Sequence, residues 1–180
     1  MSATSRPEPV VPVPAAGWAE MRGRRVIVGV PGLGFRDGLR ADNPVVQGGR
    51  TWVPVLTEQD YYRAETEQVE MFAPLVPVER VWIEQIGTDG RPPPTQPALG
   101  HPAIRQPTAV RPGQPILGLR LVQAVPDGFI RDLRATTDVY DSGADGACVR
   151  VCGEAEWYRW ALQGAVPSTM EVPADLLWCE

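Results

Sequence analysis

Asp60-Tyr61-Tyr62-Arg63, followed by Val76-Pro77, Trp82 and Glu84, recurs at the same spacing as Glu156-Trp157-Tyr158-Arg159, Val172-Pro173, Trp178 and Glu180. Two copies of one segment are free to drift apart, so residues kept in both mark positions that a shared fold uses. Upstream, Val53 and Val55 fall on Val149 and Val151, alternate positions that a strand turns to one face. Allowing one deletion, Gly23-Arg24-Arg25-Val26 aligns with Gly118-Leu119-Arg120-Leu121. Pro31 then meets Pro126, Phe35 meets Phe129, and Leu39-Arg40-Ala41 meets Leu133-Arg134-Ala135. The differences in length fall in loops, where duplicated folds tolerate them.

The repeat divides the chain into four parts. Residues 1–16 form a proline-rich tail without periodicity, expected to be disordered, and residues 17–84 form repeat one. Residues 85–114, with Pro92-Pro93-Pro94, Pro97, Pro102, Pro107 and Pro112, read as an extended, polyproline-like linker. Residues 115–180 form repeat two.

Arg24–Val30, Arg36–Ala41 and Thr51–Leu56 are β-branched or alternating runs bounded by Pro31-Gly32-Leu33-Gly34 and Gly48-Gly49, so they read as strands joined by turns. Gly118–Val125, Ile130–Thr136 and Ala147–Cys152 are their counterparts. Thr57 with Asp60 forms a capping box, and Gly153 with Glu156 stands in the same place, so a short helix starts at each shared motif. Gly164 ends the second helix, and a last strand spans 79–84 in one copy and 175–180 in the other. The expected fold is mainly β: two tandem copies of a small SH3-like β-barrel module, each with one short helix. A module of about 65 residues without disulfide or metal has a marginal core, so the copies are expected to pack as an internal pseudo-dimer.

Composition narrows the function. No apolar run reaches the roughly 20 residues of a membrane span. A net charge of −5 argues against general nucleic-acid binding, which needs a basic surface to displace counterions. All 17 basic residues are arginine, a bias expected of a GC-rich bacterial genome, and lysine chemistry is excluded. Three cysteines, an odd number, fit a reduced, cytoplasmic setting. Cys148 and Cys152 stand four apart on one strand, roughly 13 Å, too far for a disulfide.

Motifs for catalysis are missing. Gly29, Gly32 and Gly34 follow a strand, but their spacing differs from a dinucleotide loop and a second strand follows. His101 stands alone in the linker, so neither a histidine-based zinc site nor a nucleophile with its base assembles readily. Asp138, Asp141 and Asp145 do not have EF-hand spacing. No cofactor, metal or enzymatic activity is expected.

The repeated aromatic and arginine residues have two readings. Tyr61 and Trp157 can anchor the helix, with Trp82 and Trp178 filling the core. Alternatively Tyr61, Tyr62, Arg63, Trp157, Tyr158 and Arg159 line a groove for a protein partner or an anion, because tyrosine and arginine combine contact area with directional donors. By elimination the expected function is an intracellular protein-interaction module acting as adaptor, regulator or assembly component, with homo-oligomerisation compatible. The alternative is a small-ligand-binding protein using the cleft between the repeats, with Arg63 or Arg159 holding an anion.

Overall fold

The computed structural model describes residues 6–87, 100–143 and 146–180. The chain is mainly β and divides into two compact units. One is Pro9–Ile104; the other is Arg105–Glu180 together with the start of the chain through Glu8.

In the first unit the elements are β1 (Val10–Pro14), β2 (Arg25–Val30), β3 (Gly34–Ala41), β4 (Val45–Gln47), β5 (Arg50–Thr57), α1 (Glu58–Glu67), β6 (Leu75–Pro77), a single 3-10 turn at Val78–Arg80, and β7 (Val81–Ile86). The second unit contains β8 (Thr108–Ala109), β9 (Arg120–Val125), β10 (Gly128–Ala135), β11 (Tyr140–Asp141), β12 (Ala147–Gly153), α2 (Glu154–Gln163), β13 (Met170–Pro173), a 3-10 turn at Ala174–Leu176, and β14 (Leu177–Cys179). Each unit folds as a seven-stranded antiparallel sheet that curls on itself. The first sheet runs β1-β7-β2-β3-β5-β4 with β6 also on β5; the second runs β8-β14-β9-β10-β12-β11 with β13 on β12. Matched in chain order, the two are the same sheet.

The helices start where local chemistry directs. The Thr57 hydroxyl accepts from the Asp60 amide at 3.1 Å, covering one of the orphan N–H groups of the first turn. Gly153 caps α2 without a side chain, and Gly164 closes it at φ 68°. Gln68 takes the same left-handed role after α1.

The two cores correspond almost position for position. Met21, Val26, Leu39, Ala41, Val53, Val55 and Val81 are buried in one. Ile116, Leu121, Leu133, Ala135, Val149, Val151 and Leu177 are buried in the other. Ala15 and Val110 extend the match, each donating its amide to the carbonyl of the first residue of the last strand, Val81 or Leu177.

That extension corrects the expected boundaries. Residues 10–14, placed in a disordered tail, form β1 and pair along β7 from Val10↔Ile86 to Pro14↔Trp82. Part of the expected linker does the same in the second unit, where β8 pairs Ala109 with Trp178. Proline misled the reading: at an edge strand a missing N–H costs no ladder bond, so Val10-Val11-Pro12-Val13-Pro14 is compatible with pairing. The linker's Pro92-Pro93-Pro94 and Pro97 lie outside the described residues.

Trp82 and Trp178 are buried, but not where a core reading puts them. Val81 and Ile83 face the inner core, so Trp82 between them faces the other side of the sheet. There it stands edge-on to Phe35, with ring centres 5.3 Å apart. Trp178 joins Val122, Ala124 and Phe129 in a cluster separate from the inner core.

Candidate functional site

The helix start and the sheet meet at a buried ionic cluster, present in both units. Glu58, the first residue of α1, places its Oε1 3.5 Å from Arg25 Nε and 3.4 Å from Arg40 Nε, and its side chain is 3% exposed. Arg40 also donates to the Gly23 carbonyl at 2.8 Å and to the Tyr62 hydroxyl at 3.0 Å. In the second unit Glu154 receives Arg120 Nε at 3.3 Å and Arg134 Nε at 2.9 Å, while Arg134 reaches the Gly118 carbonyl at 3.0 Å and Tyr158 Oη at 3.3 Å. A carboxylate at a helix N-terminus is favoured by the helix dipole, and two flanking guanidinium groups offset its loss of hydration. This arrangement fastens each helix to its curled sheet.

Beside the cluster the glycine is obligatory. Gly23 and Gly118 have φ of 74° and 79°, and a Cβ on Gly118 would lie 3.2 Å from the Trp157 ring. Tyr61 takes the place of Trp157 in the first unit, its hydroxyl 2.9 Å from the corresponding point on Gly23.

The singled-out residues therefore separate by environment. Tyr62 and Tyr158 are half-buried and serve the ionic cluster through their hydroxyls. Tyr61 and Trp157 are half-buried over the glycines. Arg63 is exposed and pairs with Glu67 one turn on, at 3.1 Å, and Arg159 is exposed. The cluster residues Arg25, Arg40 and Glu58, with Arg120, Arg134 and Glu154, escaped the sequence reading as a group. The signal was present, since all three are identical between copies. Only their convergence was hidden.

A groove of about 550 Å³ runs beside α1, between the helix, β3, β5 and the segment after the helix. Leu56, Ala64, Val69 and Met71 are among its apolar lining, and Arg22 and Arg40 with Asp42, Glu65 and Glu70 are its charged groups. Phe72, next to it in sequence, is 90% exposed.

The turn before β2 or β9 is pinned by a side chain. Asn43 Oδ1 accepts from the Met21 and Arg22 amides at 2.8 and 3.0 Å, and Asp138 Oδ1 accepts from Ile116 and Leu117 at 2.8 and 2.9 Å. The bond from Leu117, then that from Ile116, lowers the Asp138 pKa below its ordinary value. A depressed carboxylate contributes stability that is present above the unfolded value of about 4 and lost as pH falls through the lower folded value. Asp138→Asn is therefore expected to flatten the fall in melting temperature below about pH 4 relative to wild type. An identical acid profile for the two proteins would show that the cap contributes nothing.

Among the described residues no group of three or more His, Cys, Asp or Glu is placed to hold a metal. His101 Nδ1 lies 2.6 Å from its neighbour's carbonyl at Pro102, and the ring faces Trp82 edge-on. Burial first, then the charge of Glu156, pushes the Cys152 thiol up to about 11, and burial raises Cys179. Both thiols stay protonated at neutral pH and are poor nucleophiles. No helix among the described residues is long and apolar enough to cross a membrane.

Fold and surface together define a protein of two matching small β-units, with buried ionic clusters committed to structure and large apolar side chains exposed in turns, on strands and beside the helices. No family model, curated protein or solved structure matches the chain.

Proposed function

We propose that the protein is a protein-interaction module, an adaptor, regulator or assembly component built from two SH3-like barrels. The groove beside α1, with Val69 43% and Phe72 90% exposed at its border, is the observation that carries this reading. Large apolar side chains held in water beside a concave surface are costly unless a partner covers them. The SH3-like reading is supported by the small curled sheet in which one long strand, β5 or β12, takes several partners in succession. A reducing, cytoplasmic setting is supported by three cysteines, none of them in a disulfide.

The test compares wild type with Val69→Ser/Phe72→Ser in affinity capture from host lysate, both proteins first shown to be folded. Both side chains are exposed, so the fold should tolerate the change within about 0.5 kcal/mol. A partner retained by wild type and at least tenfold depleted with the variant is the expected result. Absence of any saturable protein partner sinks the reading. The volume of the groove also falls in the range of small-ligand sites, which favours a metabolite-binding alternative. A compound that raises the melting temperature of wild type, with no protein captured, would select that alternative.

A further inference from the structure

The two units agree in their cores and diverge, among other places, at the turn before β2 or β9 and the helix beside it. The turn held by Asn43 is Met21-Arg22-Gly23-Arg24, whereas the turn held by Asp138 is Ile116-Leu117-Gly118-Leu119. Leu117 and Leu119 are 56% and 42% exposed. Between them Gly118 supports the Trp157 ring, which meets Trp160 edge-on at 5.4 Å, and Trp160 is also exposed. The residue matching Trp160 in the first copy is Ala64. The same backbone is thus built with Arg22, Arg24 and Ala64, so the architecture does not require apolar residues here.

Charge changes in the same direction. Two exposed arginines are lost, and Asp138 brings a carboxylate where neutral Asn43 makes the same pair of bonds. Glu156, one helical turn before Trp160 and matched by Asp60 in the first copy, is a second acidic group on this face. The result is an exposed aromatic and aliphatic face with an acidic border.

We propose that this face of the second unit docks a short extended segment of a partner protein, presenting proline or aliphatic side chains beside arginine or lysine. The proposal rests on the interaction-module reading and adds to the groove beside α1 a surface on the second unit, with its partner chemistry. Exposed tryptophan beside carboxylates suits a cation, which gains from both the ring face and the charge. Three exposed large side chains fall well short of the roughly 800 Å² per partner of a standard interface between folded domains. An extended peptide, already stiff where proline-rich, needs less area because it has less entropy to lose.

The experiment is selection from a display library of random dodecapeptides on the full chain, followed by affinity measurement of the enriched peptides. Leu117→Arg/Leu119→Arg and, separately, Trp160→Ala install the first unit's own residues, so the fold should survive, as circular dichroism would verify. Enriched peptides are expected to combine basic with apolar residues and to bind each variant at least tenfold more weakly. Asp138→Asn keeps the turn bonds and should lower both the affinity and its salt sensitivity, by about threefold in affinity. Enriched peptides without a basic excess, or equally bound by both variants, overturn this surface and leave the interaction reading standing. No enrichment on any protein overturns the peptide proposal, while the interaction reading falls only if lysate capture also yields no saturable partner. Dimerisation of wild type that the two variants abolish would assign the face to a second copy and overturn the peptide.

Discussion

Glu154→Ala is expected to destabilise the second unit by about 3–5 kcal/mol, because it leaves two arginines on the curled sheet without their carboxylate. The Arg120 and Arg134 side chains are only 11% and 14% exposed, so water cannot readily replace the lost partner. The loss exceeds any net worth of the ion pairs themselves, since most of it is the cost of uncompensated charge. Glu154→Gln keeps the shape and one acceptor and should fall between wild type and alanine. Hydrogen exchange resolved by unit would show the effect, with amides of β9, β10 and α2 losing protection first. A loss under about 1 kcal/mol would mean that the guanidinium groups reach solvent and that the cluster does not fasten the helix.

Trp82→Ala should cost about 3–5 kcal/mol in the first unit. Its side chain is fully buried, and truncation removes the edge-on contact with Phe35 as well as the buried area. The indole N–H finds no acceptor among the described residues, which sets a second expectation. Trp82→Phe discards that unsatisfied donor while keeping an aromatic ring, so it should cost less than half as much as alanine. Chemical denaturation of the full chain measures both. A Trp82→Ala cost below about 1 kcal/mol would contradict the burial, and a Phe variant as damaging as Ala would show that the indole nitrogen is bonded after all.

How much was legible follows from how local each signal is. The strands at Arg25–Val30 and Ala147–Gly153 and the two helix starts were expected within one or two residues, because alternation and capping are set by neighbours in the chain. The strand at Val10–Pro14 was missed: its prolines look like a tail until β7 supplies the partner edge. Tyr62 and Tyr158 were legible as repeated residues, but whether a tyrosine grips a partner or an internal arginine depends on a contact across more than 20 positions.

By itself the sequence determined that the chain is a duplicated, mainly β protein and which positions the duplicate copies share. Alternation and spacing are properties of residues a few places apart, and they survive without knowledge of the fold. Only the tertiary structure decided which side of the last strand Trp82 faces, which arginines surround Glu58 and Glu154, and which matched surface became apolar in one copy. Those facts arise where sheet register brings distant segments together, and register is a property of the folded whole.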